Sequence, residues 1–165
     1  MPRQRAWCCD PSLTGPGTGR SPESKTVTLA TAPKFSCMAK AHFGLIGLGV
    51  MGENLVLNAE RNGFSSVVFN RTYAKTEEFL SGRGAGRQIV GAKTLEEFVG
   101  SLERPRRILM MIKAGPAIDA VIGQLDPLLE EGDLLIDGGN SLYTDTERRV
   151  AQLESRRFGY IGMGV

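Results

Sequence analysis

The chain is 165 residues long, enough for one medium domain with its own hydrophobic core. Apolar residues make up 41% and charged residues 23%, the balance of an ordinary globular protein rather than a disordered or fibrous one. Of 20 basic and 18 acidic residues, six basic (Arg3, Arg5, Arg20, Lys25, Lys34, Lys40) and two acidic (Asp10, Glu23) fall in residues 1–40, which leaves 14 and 16; a slightly acidic remainder argues against nucleic acid as a partner, and no apolar run approaches a membrane span.

Residues 1–40 form a leader unlike the rest. They are rich in Ser, Thr, Pro, Gly and Arg and show no amphipathic period, so they cannot bury enough apolar surface to offset the entropy of ordering. Arg-rich, acid-poor composition also describes an organelle transit peptide. Two readings stand: a cleaved transit peptide over residues 1–37, or a disordered extension ahead of a start at Met38. They imply a plastid and a cytoplasmic location respectively, both soluble and intracellular. All three cysteines (Cys8, Cys9, Cys37) lie here, so the remainder has neither disulfides nor a cysteine metal site. His42 is the only histidine, at the start of an apolar run, and is expected to be structural; no metal is expected.

From His42 onward strands and helices alternate. Phe43–Ile46 reads as a buried strand. Glu53–Asn62 reads as a helix closed by Gly63. Val67–Phe69 is a second strand and Thr72–Ser81 a helix, followed by a Gly-rich turn, Gly82–Gly86. Thr94–Leu102 is a helix with Thr94 and Glu97 at capping-box spacing. Arg107–Ile112 is a strand. Pro116–Leu129 is a helix with proline in its first turn. Leu134–Ile136 is a strand, Thr144–Arg156 a helix with Thr144 and Glu147 again at capping-box spacing, and Phe158–Ile161 begins a last strand. Repeated β-α units with apolar strands predict an α/β fold: a doubly wound, mostly parallel sheet with helices on both faces.

Gly47-Leu48-Gly49-Val50-Met51-Gly52 is G-x-G-x-x-G. The pattern alone is weak, but it follows a strand and opens a helix, as a Rossmann phosphate loop must. Gly47 permits the tight turn, Gly49 lets backbone approach a pyrophosphate, and Gly52 allows close packing of helix on strand. The helix N-terminus offers N–H groups and a positive dipole end. An NAD site places an acid at the end of the second strand to bind the ribose 2′-hydroxyl. Here that place holds Asn70-Arg71-Thr72, with no carboxylate between Glu60 and Glu77. A guanidinium can grip a 2′-phosphate that an acid would repel, so NADP is the expected cofactor. The plain alternative is a surface arginine at a loop start.

Ile112-Lys113-Ala114-Gly115 ends one strand and Asp137-Gly138-Gly139-Asn140-Ser141 the next. Open α/β sheets bind ligands at the carboxyl ends of their strands, so all these motifs should share one edge. Ala114 and Gly115 let backbone lie close to a ligand, Lys113 adds charge, and Asn140 presents an amide that donates and accepts. Read without function, these are two Gly turns and a solvated lysine.

Taken together, Gly47–Leu55, Asn70-Arg71-Thr72, Ile112–Gly115 and Ile136–Ser141 resemble decarboxylating 6-phosphogluconate dehydrogenase. Arg104–Arg107, Pro127–Leu129, Gly132-Asp133, Asp145–Arg149 and Tyr160–Val165 agree. The resemblance covers residues 41–165. It implies an enzyme that oxidises 6-phosphogluconate at its 3-hydroxyl with NADP, then loses CO2 to give ribulose 5-phosphate. By that resemblance residues 47–52 bind the pyrophosphate, 70–72 the 2′-phosphate, and Ile112, Lys113 and Ala114 lie along the cofactor. Asn140 meets cofactor and substrate. The wording around Glu53-Asn54 and Met163 is similar to members of photosynthetic lineages, which favours the transit-peptide reading.

Many members have alanine where Gly49 stands. In the family a Ser-Gly-Gly segment, a catalytic lysine and glutamate, and an all-helical domain that completes the homodimer follow the position of Val165. The sequence therefore reads as a truncated cofactor domain, with no catalytic residue of its own, that binds NADP without turnover and leaves an apolar face exposed. The competing readings are a hydroxyisobutyrate-type dehydrogenase domain, against which Asp137–Ser141 speaks, and a non-catalytic NADP-binding module.

Overall fold

The structure is a computed structural model that describes residues 40–156 and 158–165; both readings of the leader fall outside the described residues. Its elements run β1 (Phe43–Ile46), α1 (Val50–Arg61), β2 (Ser66–Phe69), α2 (Tyr73–Ser81), β3 (Ile89–Ala92), α3 (Leu95–Gly100), β4 (Arg107–Met110), α4 (Pro116–Leu125), β5 (Leu134–Asp137), α5 (Tyr143–Leu153) and β6 (Gly159–Gly162). The strands form one sheet in the order β3-β2-β1-β4-β5-β6. Every pairing among the described residues is parallel. This is the doubly wound Rossmann architecture expected from the alternation.

Side chains alternate across the pleat. Leu45, Val68 and Leu109 point to one face, where they meet Val56 and Leu57 of α1 and Phe79 of α2. Ile46, Val67, Ile108 and Met110 point to the other, against Phe98 of α3, Ile118, Ile122 and Leu125 of α4, and Leu153 of α5. Each fully buried Leu, Ile, Val or Phe contributes about 1.5–3 kcal/mol, so both layers are held by burial of the strands between them. The chain reverses its winding between β1 and β4. Loops leaving those two strands diverge to opposite faces and open a crevice at their C-terminal ends.

Several boundaries differ from the sequence expectation. α1 begins at Val50, three residues before Glu53, so the second half of the Gly motif is already helical. It ends as expected at Gly63: Gly63 N–H donates to Glu60 and Phe64 N–H to Ala59, the paired bonds of a Schellman cap. β3 was not expected; it is a four-residue edge strand interrupted by Gly91, too short for its period to show. β4 stops at Met110 rather than Ile112. α4 stops at Leu125 and passes into a 3-10 turn over Asp126–Leu128, because Pro127 has no N–H to continue the helix. The Thr94 cap forms, with its hydroxyl accepting from Glu97 N–H at 3.2 Å. The Thr144 box does not: Thr144 lies inside α5, whose N-cap is Leu142 and lacks a side-chain bond.

Candidate functional site

The C-terminal ends of β1, β2, β4 and β5 lead into the segments singled out in the sequence, and the parallel sheet sets them along one edge. Gly47 leaves β1 at φ +105°, and a Cβ there would lie 2.4 Å from the Met111 carbonyl oxygen; glycine alone makes this turn against the neighbouring chain. A Cβ on Gly52 would lie 2.1 Å from the Gly47 carbonyl oxygen, so the first turn of α1 sits directly on the loop. Gly49 is different: a Cβ there would meet nothing within 4 Å. Gly49 is the N-cap of α1, and no side chain caps that helix. The first N–H groups and the positive end of the helix dipole are thus served by no side chain, beside open space, an arrangement suited to a phosphate. Leu48 is buried in the core, whereas Val50 and Met51 are exposed.

Asn70 ties the second loop to the first. Its side-chain oxygen accepts from Leu48 N–H at 3.3 Å, and its amide nitrogen donates to the Thr72 carbonyl at 3.0 Å. Thr72 is the N-cap of α2. Arg71, between them, is exposed and makes no ion pair among the described residues. Lys93, just past β3, holds its ammonium 5.1 Å from the Tyr73 ring centroid and adds a cation beside this loop. The residues present fit a dinucleotide with a 2′-phosphate: an open Gly49, a helix with no side-chain cap and the exposed guanidinium of Arg71.

On the other side of the crevice, Lys113 is exposed and Ile112 and Ala114 are half-buried. Asn140 is exposed and lines a cleft of about 410 Å3 together with Gly139, Ser141, Thr146, Gly162 and Gly164. His42 lies at the opposite end of the sheet, its Nδ1 2.9 Å from the Ser65 hydroxyl.

Sequence reasoning missed what holds this side in place. Arg149, on α5, is 1% exposed. Its guanidinium donates to both Asp119 oxygens at 2.9 and 3.1 Å, to the Gly115 carbonyl at 3.1 Å, to the Ser141 hydroxyl at 3.3 Å and to Asp137 at 3.5 Å. Asp137 is fully buried and also accepts from Gly139 N–H, from the Ser141 hydroxyl at 2.7 Å and from the Tyr160 hydroxyl at 2.8 Å. Hydrogen bonding from Arg149 lowers the Asp119 pKa. The bond to Asp119 raises that of Arg149. Burial, then the bond to Asp137, raises that of Tyr160. The available signal was position: Arg149 lies one helical turn before Leu153, on the inward face of α5.

The sequence pattern of the NAD binding domain of 6-phosphogluconate dehydrogenase matches residues 42–165. Decarboxylating 6-phosphogluconate dehydrogenase of Synechococcus elongatus is 66% identical over 128 residues, which is 78% of this chain and 27% of that protein. The Synechocystis enzyme of the same name is 61% identical over the same shares. A solved structure of Plasmodium falciparum 6-phosphogluconate dehydrogenase, described in apo form and with NADP+ or 6-phosphogluconate, matches with a TM-score of 0.70 at 43% identity, over 75% of this chain and 27% of that one. Mycobacterium tuberculosis 3-hydroxyisobutyrate dehydrogenase matches with a TM-score of 0.64 at 17% identity, over 77% and 41% of the two chains, and shares the fold alone. The balance favours the first reading of the sequence over the hydroxyisobutyrate type. The chain spans about 27% of the length of these curated relatives.

Proposed function

The chain belongs to the 6-phosphogluconate dehydrogenase family through its NAD-binding domain, and on that premise we propose that it binds NADP across the C-terminal edge of its sheet, as the cofactor domain of a decarboxylating 6-phosphogluconate dehydrogenase. The observation that carries the NADP reading is Arg71, an exposed guanidinium with no ion pair among the described residues, on a loop tied to the Gly turn by Asn70, where an NAD site would hold an acid. Leu48, Gly49, Val50 and Met51 line the pyrophosphate turn that Gly47 and Gly52 shape. Arg71 and Thr72 hold the 2′-phosphate. Ile112, Lys113 and Ala114 lie along the rest of the nucleotide, and Asn140 faces both cofactor and 6-phosphogluconate.

NADP, when bound, supplies the two-electron acceptor. The chain's own residues bind and orient. Lys113 and Asn140 cannot both hold the substrate and remove its hydroxyl proton, and oxidation needs both tasks done at once, so the chain alone binds without turnover. The homodimer that the resemblance implies belongs to the same reading. Imaging of a fluorescent fusion of the full chain separates the two compartments: plastid fluorescence supports a transit peptide over residues 1–37, and cytoplasmic fluorescence the other reading.

Calorimetric titration of the chain with NADP and NAD tests the cofactor. NADP should bind more tightly, by roughly ten-fold or more for a charged hydrogen-bond pair, and Arg71→Ala should bring the two together. Equal binding by wild type would remove the 2′-phosphate reading, and no binding by folded protein would remove the function.

A further inference from the structure

The crevice edge is held by two ties that share no residue. The first is Asn70, which joins the β1 and β2 loops through Leu48 N–H and the Thr72 carbonyl. The second is Arg149. Its acceptors come from the turn that follows β4 (Gly115), the first turn of α4 (Asp119), the end of β5 (Asp137) and the loop beyond (Ser141). Lys113 and Ala114 stand within two residues of Gly115, and Asn140 stands next to Ser141. One buried guanidinium therefore sets the spacing between the loop carrying Lys113 and Ala114 and the loop carrying Asn140.

We infer that Arg149 is a positioning residue for the half of the dinucleotide that lies over β4 and β5, and has no part in holding the adenosine half over β1 and β2. The inference rests on the cofactor reading above. A planar fork of five N–H donors can meet acceptors on several sides at once; a lysine ammonium at the end of a flexible stem cannot. Exchange of Arg149 for lysine keeps the charge opposite Asp119 and Asp137 but loses the fixed geometry that joins the loops. Among the described residues, the Gly47–Gly52 turn and Asn70–Thr72 make no hydrogen bond or ion pair with this network.

A fold-wide role and a local one separate by ligand length. 2′,5′-ADP carries only the adenosine end, whereas NADP spans both halves. Both are titrated calorimetrically into the chain, as wild type, Arg149→Lys and Ser141→Ala. Arg149→Lys should weaken NADP by about ten-fold, the scale of a charged hydrogen bond, and leave 2′,5′-ADP within about two-fold. Ser141→Ala, which keeps every charge, should shift NADP in the same direction by less. If Arg149→Lys does not fold, as judged by circular dichroism, Ser141→Ala decides alone. Equal weakening of both ligands, or no weakening of NADP, overturns the inference. Wild type that binds neither ligand overturns the cofactor reading instead.

Discussion

Two buried arginines pair with aspartates at opposite ends of the same strand. Arg106, just before β4, donates from its backbone N–H and its guanidinium to Asp133, each at 2.7 Å, and Asp133 stands just before β5. Arg149 meets Asp137, which closes β5. The first set is a closed unit: Asp133 accepts also from Glu130 N–H, and Leu134 N–H donates to the Arg106 carbonyl. Arg106, Glu130 and Asp133 lie in turns that lead into strands, and Leu134 begins β5. The second set reaches outward to Gly115 and Ser141, on loops that leave strands. In a parallel sheet the ligand crevice forms only at the strands' carboxyl ends. The same ion-pair chemistry is thus structural at one end and, on the reading proposed, serves a site at the other.

The strongest way to break this comparison is Arg106→Ala. It leaves Asp133 buried without its cation, which costs roughly 3–5 kcal/mol, read as a lower urea midpoint. The ratio of NADP to 2′,5′-ADP affinity in the protein that remains folded should not change; a changed ratio would mean that the two ends are coupled. Arg71→Ala should have the opposite profile, a loss of about 1.5–3 kcal/mol in NADP binding with an unchanged urea midpoint. Within the Gly turn, Gly52→Ala forces a Cβ to 2.1 Å from a carbonyl oxygen and should cost about 1–3 kcal/mol of stability. Gly49→Ala enters open space and should stay within about 0.5 kcal/mol.

The smallest effect is at Tyr160. Tyr160→Phe removes one hydrogen bond to Asp137, worth about 1 kcal/mol. Its pH dependence carries the sign. The folded phenol has a raised pKa, so its contribution is intact below the unfolded tyrosine value near pH 10 and is lost as pH rises through the folded value. Wild type and Tyr160→Phe should therefore converge in stability above about pH 10. Asp119 runs the other way. Its pKa is lowered, so its contribution is present above the unfolded aspartate value near pH 4 and is lost as pH falls through the folded value. A chemical-denaturation series across pH measures both.

The β1–β2 side of the edge was legible in the sequence because its signals are local. Gly47, Gly52 and Asn70-Arg71-Thr72 each stand at a fixed distance from a strand end, and the structure sets them at the C-terminal edge as that spacing requires. The alternation of strands and helices conveyed the sheet, but not β3, whose four residues are interrupted by Gly91. It also missed the start of α1, because Val50 and Met51 are exposed and follow no core period. Asn140 could be read as a presented amide, yet the reason for its loop's shape could not. Arg149 is 34 residues from Gly115 and 12 from Asp137. Beside Arg148 on a polar helix, it looks like solvated charge until the fold turns it inward.

Backbone amide NMR of the 15N-labelled chain, titrated with NADP, tests the central claim most directly. The account predicts shifts at Leu48–Gly52, Arg71–Thr72, Lys113–Gly115 and Gly139–Ser141, with the amides of Arg106 and Asp133 unmoved. Shifts confined to other residues, or equal shifts at both ends of β5, would contradict it.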